Sequence, residues 1–161
     1  MTINGYKNST LCQLTTLISS GSTPLGGQSV YHGDGPVMLV RSQNVQMNRL
    51  DVSDVAFISS EIDSQMKRSV VLHDDVLLNI TGASIGRVAR FGLLNKRANV
   101  NQHVCIIRPK PDQLSSQYLE YFLSSPAVQS DIHNRHQHGG TRQSLSDRLK
   151  TKQRVNTCLH F

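Results

Sequence analysis

The sequence has no tryptophan, and only four Tyr and four Phe among its 161 residues. A core built from it must rest on Leu, Ile and Val. Three cysteines, Cys12, Cys105 and Cys158, stand far apart. Their odd number and wide spacing give neither a disulfide framework nor paired zinc ligands. They read as the reduced thiols of a cytosolic protein. No apolar run approaches the ~20 residues of a membrane-spanning helix. The opening residues, MTINGYKNSTLCQLTTLISSG, lack the basic and apolar regions of a secretory signal. The expected location is the cytoplasm, away from membranes.

Catalytic patterns are equally scarce. No G-x-G-x-x-G follows the first strand-like run. Gly82 and Gly86 lie four apart, but no Lys-Ser/Thr follows them, so they do not form a phosphate loop. Asp74-Asp75 lack the further acidic groups and the placed Lys of a metal nuclease, and read as the turn before a strand. His133, His136 and His138 lie close together, but no Cys is near, and a structural zinc needs four ligands. They read as a solvated polar loop. We expect no catalytic residue, no metal and no cofactor.

What is present is positive charge. Seventeen Lys and Arg stand against eleven Asp and Glu, a net charge of +6. Such a surplus favours acidic partners, nucleic acid first and a membrane surface as the rival. Arg87, Arg90, Lys96 and Arg97 cluster around one expected hairpin, and Arg135 and Arg142 flank Gly139-Gly140. Arg, Asn and Gln are also the side chains that pair bidentately with guanine and adenine edges. Arg41, Gln43, Asn44, Asn101 and Gln102 are of these types and sit at expected strand edges.

Along the chain, Leu11, Leu14, Leu17 and Ile18 have helical spacing and predict a short amphipathic helix over Thr10 to Ser19. A Gly-rich loop follows through Gly35. Val37 to Val40, Phe57-Ile58, Val76 to Ile80, Ile85 to Phe91 and Val104 to Ile107 read as strands, with a helical turn over Ser60 to Met66. Beyond Pro111 the texture becomes helical. Ser115 to Ser124 places Tyr118, Leu119, Phe122 and Leu123 on one face, and Pro126 opens a further helix. Ser144 to Lys150 reads as a last short helix. Strands and helices are segregated, which predicts an α+β fold: a mainly β middle, a twisted antiparallel or mixed sheet, flanked by an N-terminal helix and C-terminal helices.

Three segments together resemble the specificity subunit of type I restriction-modification enzymes. The first is Gly21-Ser22-Thr23-Pro24 with the Gly-rich loop, a Pro36-led strand and Asn44-Val45. The second runs from Asp75 through Asn79-Ile80-Thr81-Gly82-Ala83-Ser84-Ile85-Gly86-Arg87 to Val88, with Asn101-Gln102 beyond it. The third joins Tyr118-Leu119, Tyr121 and Leu123 to Gly139-Gly140-Thr141-Arg142-Gln143, Leu145 and Ser146. Order and spacing match over roughly residues 10 to 150, the extent of one target recognition domain.

The residues have a physical sense of their own. Gly82 and Gly86 permit a tight turn and close backbone approach. Thr81 and Ser84 can bond the turn backbone. Gln102 and Gln143 are long amides able to hold a loop or to meet a base.

The resemblance implies a non-catalytic, DNA-binding module that directs methyltransferase and restriction subunits to one half of a split site in double-stranded DNA. By residue type and position, the candidate DNA contacts are Arg41, Gln43, Asn44, Thr81, Ser84, Arg87, Asn101, Gln102, Arg142 and Gln143. The resemblance leaves open a homodimer, an interaction-only remnant, and the specificity part of a fused restriction-methylation enzyme. Residues 1–150 form the expected domain. Residues 151–161 lack the heptads of the family's spacer helix and read as a flexible tail.

Overall fold

The computed structural model describes residues 6–137, 149 and 154–158. Three apolar runs organise it: Val37–Val40 (β3), Val76–Asn79 (β8) and Val104–Pro109 (β11). In the first two every residue is buried, and in β11 all but Arg108. A strand apolar at every position must be covered on both faces, and the side chains divide accordingly. Val76, Leu78, Cys105 and Ile107 face one core with Leu119, Leu123, Val128 and Ile132. Leu77, Val104 and Ile106 face a second core with Met38, Val40, Ala98 and Val100. Val37 and Leu39 point into a third, with Ala56, Ile58 and Met66. The period-2 alternation of the strands thus stacks two sheets with a helical layer on each outer side.

The first sheet has the order β2-β11-β8-β9, with Thr15–Ser20 as β2 and Val88–Arg90 as β9, all neighbours antiparallel. The second has the order β6-β3-β10-β7, made with Ala56–Ile58 (β6), Ala98–Val100 (β10) and Val70–Val71 (β7). Here β3 and β10 are parallel and the outer pairs antiparallel. Val45–Gln46 (β4) and Arg49–Leu50 (β5) form a small hairpin, joined to β9 by the Asn48 N–H on the Val88 carbonyl at 2.7 Å.

Ser60–Gln65 (α2) starts at Ser59, whose hydroxyl accepts the Ile62 N–H. Ser116–Ser124 (α3) starts in the same way at Ser115, and Pro126–Gln137 (α4) begins on its proline. Glu120 of α3 is buried, and its carboxylate accepts the Arg90 N–H of edge strand β9 at 3.0 Å. That bond seats the helix on the sheet.

The α+β class read from the sequence is that of the structure, and two local readings are corrected. Thr10 to Ser19 is not one helix. Leu11–Leu14 (α1) makes a single turn, and the chain then extends as β2. Leu11, Leu14 and Ile18 do share a core, as helical spacing demands. The β-branched Thr15, Thr16 and Ile18 favour extension, and pairing with β11 decides it. The second correction is at the C-terminus. The segment read as a flexible tail contains Arg154–Cys158 (β12), antiparallel to Tyr6–Thr10 (β1), with Val155 in the core. Pairing across nearly the whole chain leaves no local trace in the sequence.

The expected helix over Ser144 to Lys150 lies outside the described residues, apart from a helical, buried Leu149. Among the described residues, no helix is long and apolar enough to cross a membrane.

Candidate nucleic-acid interface

The register fixes where the motif residues meet. Ser20 at the end of β2 stands opposite Cys105, and Asn79 at the end of β8 stands opposite Val104. Val40 and Val100, the last residues of β3 and β10, are also opposite each other. Four segments distant in sequence therefore emerge at one end of the stacked sheets: the Gly21 turn, the Arg41 to Gln46 turn, the Thr81 to Arg87 loop and the Asn101 to His103 turn.

They are tied together by hydrogen bonds. The Asn79 amide, fully buried, donates to the carbonyls of Ser42 at 2.8 Å and Val45 at 3.3 Å. Arg87 Nη1 donates to Gln46 Oε1 at 3.0 Å. Asn101 N–H meets the Val40 carbonyl at 3.2 Å, and Ile80 N–H meets that of His103 at 3.0 Å. The His103 ring lies between two loops, with Thr81 Oγ1 at 2.7 Å from Nδ1 and Gln102 Nε2 at 3.0 Å from Nε2.

Glycine is required at two of these places. A Cβ on Gly21 would lie 2.0 Å from the Val100 carbonyl oxygen. Gly86 has a φ of +87° and lies against Gln129, whose amide donates to the Gly86 carbonyl at 2.8 Å. Helix α4 is thus locked onto the loop.

The candidate contact residues divide by what their side chains already do. Asn44 is buried: its Oδ1 accepts the Arg41 N–H at 2.9 Å, and its Nδ2 donates to the carbonyls of Asp51 and Asp54. Asn101 is buried too and accepts the His103 N–H at 3.1 Å. Arg41 donates to the Asp54 carbonyl at 3.0 Å and lies over the Tyr31 ring, 5.9 Å from its centroid. These three, read as residues able to reach a base, bond the backbone of turns in this structure. Short amides leaving a strand satisfy the backbone of the turn they open. Thr81 and Gln102 belong to the His103 clasp, and Thr81 bonds that ring rather than its own turn.

On the outside remain Gln43, exposed and bonded to the Asp54 carboxylate at 2.7 Å, and the half-buried Ser84 and Arg87. Arg142 and Gln143, with the whole Gly139 to Ser146 motif, lie outside the described residues. The basic cluster is partly neutralised. Arg90 pairs with Asp74 at 3.0 Å and Arg97 with Asp63 at 2.8 Å. Asp75, almost fully buried, takes both the Leu72 N–H and the Arg108 guanidinium. Asp51 accepts both the hydroxyl and the N–H of Ser53, which hold its carboxyl below its ordinary value. Among the described residues, no three His, Cys, Asp or Glu come together as metal ligands do.

Sequence reasoning missed Asn79, Gln46 and His103 as members of the site. Asn79 carried a signal, since an amide inside the apolar run VLLNI must find partners. Gln46 and His103 carried none.

The geometry is that of an α+β unit gathering turns at one end of two packed sheets. Over 96 residues, 58% of the chain, it is 32% identical to the Escherichia coli type I restriction enzyme EcoBI specificity subunit, of which it covers 19%. Its fold matches a chain from a structure of the assembly and conformational transition of the type I restriction-modification system. The TM-score is 0.65 at 14% identity, over 98% of this chain and 35% of that one. It also matches the HsdS subunit of Thermoanaerobacter tengcongensis, with a TM-score of 0.63 at 15% identity, over 98% and 33% of the two chains. No family model matches. The resemblance to type I specificity subunits drawn from the motifs thus holds, in sequence with the first relative and in fold with the two solved chains. This chain spans about a fifth of the curated relative and about a third of each solved one.

Proposed function

We propose that this chain is a DNA-reading unit of a type I restriction-modification system, without catalysis of its own, acting in the cytoplasm. It directs methyltransferase and restriction subunits to one half of a split site in double-stranded DNA. The observation that carries the reading is the convergence of Gly21, the Asn44 turn, the Thr81 to Arg87 loop and the Asn101 to His103 turn at one sheet end. Rigid strands hold a set of cross-bonded turns, the arrangement that places side chains accurately against a partner.

Within this unit, Asn44, Asn79, Asn101 and the Thr81–His103–Gln102 clasp fix loop shape. Arg87 and Gln43 meet base edges, with Ser84 beside them. Arg87 keeps most of its N–H donors after bonding Gln46, enough for the two acceptors of a guanine. Because β12 pairs with β1, the unit takes in Arg154–Cys158 as well as residues 1–150.

Fluorescence anisotropy of labelled duplexes with the full chain, titrated with salt, tests the reading. Binding should weaken as salt rises, and absence of binding at low salt would overturn it. The Arg87→Ala variant should lose about 5- to 150-fold in preference for its site over random duplex, the worth of one bidentate base contact. Co-purification with a modification subunit, followed by mapping of methylated sites, tests the partner assignment. DNA cleavage by this chain alone with magnesium would refute the non-catalytic role.

A further inference from the structure

Most arginines of the described surface are spoken for. Arg41, Arg49, Arg90, Arg97 and Arg108 each lie within ion-pair distance of a carboxylate. Lys67 and Arg68 do not. They form the 3₁₀ turn that follows α2, and both are exposed. The nearby carboxylate of α2, Asp63, is held by Arg97 and Asn99 from the other side and offers them no neutralisation.

Two adjoining hollows open beside them, about 380 and 440 Å³ in volume, and both are lined by Ser19, Lys67 and Arg68. One continues along Ser20 and Ser22. The lining of either hollow contains no carboxylate among the described residues. Its third cation, Arg108, already shares the Asp75 carboxylate. Strand β2 is the edge of its sheet, so it runs along the cleft with no strand beyond it. The cleft also leads to the proposed reading face. Ser20 and Ser22 flank Gly21, whose N–H bonds the Val104 carbonyl beside the Asn101 to His103 turn.

We infer that this cleft binds the sugar-phosphate backbone of DNA next to the bases met by the loops, with Lys67 and Arg68 each facing a phosphate and the Ser19 to Ser22 hydroxyls as secondary donors. Phosphate contacts set the register of a protein on the duplex, while base contacts choose the sequence. The inference rests on the DNA-reading function proposed above, and extends it to a surface whose two cations, Lys67 and Arg68, lie in none of the recognised motifs.

The test is a salt titration of duplex binding by the full chain and by the Lys67→Ala/Arg68→Ala double variant. Each lost phosphate contact makes the negative slope of log K against log salt shallower by about 0.9. The double variant should therefore lose about 1.8 in slope and bind about 60-fold more weakly at 0.1 M salt, equally for cognate and random duplexes. Both side chains are exposed, and an unchanged melting temperature separates lost contact from lost fold. Lys110→Ala, a cation at the far end of β11, should leave the slope unchanged. An unchanged slope in the double variant overturns the inference and leaves the DNA-reading function standing. No binding by the unaltered chain overturns both. Loss of binding to anionic lipid vesicles, with the DNA slope intact, would assign the cleft to a membrane surface and also overturn it.

Discussion

Asn44 separates two ways of reading the site, because a base-reading amide and a turn-holding amide fail differently when removed. In Asn44→Ala the Arg41 N–H loses its acceptor at 2.9 Å, and the carbonyls of Asp51 and Asp54 lose donors at 3.0 and 3.2 Å. The Asp54 carbonyl keeps the Arg41 guanidinium. Two backbone groups are thus stranded where Asn44 was only 2% exposed. Three lost bonds at about 0.5–1.5 kcal/mol each, with little water to replace them, come to about 2–4 kcal/mol. For a protein of this size that is a fall of roughly 5–15 °C in melting temperature. Thermal denaturation followed by circular dichroism, without DNA, measures it. Gln43→Ala, one residue away and exposed, should change stability by less than about 0.5 kcal/mol. If Asn44→Ala melts within about 2 °C of the parent yet loses DNA binding, the turn-holding role is refuted and Asn44 returns to the base-reading set.

Three further outcomes follow from the same geometry. Gly21→Ala forces a Cβ to 2.0 Å from a backbone oxygen; it should cost about 3 kcal/mol by overpacking and weaken duplex binding, with a parent-like denaturant midpoint as the refuting result. Asp75→Ala leaves Arg108 without the carboxylate that it holds through two 2.8 Å bonds; a loss of about 3–5 kcal/mol is expected in urea unfolding. Ser53→Ala removes the largest influence lowering the Asp51 carboxyl, so an NMR titration should find that group shifted upward. A depressed folded value stabilises at pH above the unfolded value and is lost as pH falls through the folded one, so the variant should lose part of the Asp51 contribution to stability, the Ser53 N–H and Arg49 keeping the rest.

The individual strands were legible because their physics is local. Runs such as VMLV, VLLNI and VCII are too apolar for anything but the interior, and too short and β-branched for a long helix. The opening proline of α4 acts within a few residues and was equally plain. The Gly82 to Gly86 turn was legible in kind, with both glycines at positive φ. Where local and long-range terms competed, the pattern misled. Leu11, Leu14 and Ile18 satisfy helical spacing, yet pairing with β11 pulled Thr15–Ser20 into a strand.

The sequence by itself determined a basic α+β chain with a Leu, Ile and Val core, and the motif segments that carry its resemblance to specificity subunits. Only the tertiary structure decided what those segments do for one another. Amide side chains look alike in a sequence whether they face water or a turn. Register and burial committed Asn44, Asn79 and Asn101 to backbone groups and left Gln43 and Arg87 outside. Tertiary structure also joined β12 to β1 and set Lys67 and Arg68 beside Ser19 to Ser22. Asn79 meets carbonyls 34 and 37 residues away, β12 and β1 come from opposite ends of the chain, and Lys67 stands dozens of residues from Ser19, so these contacts exist only once the chain has folded.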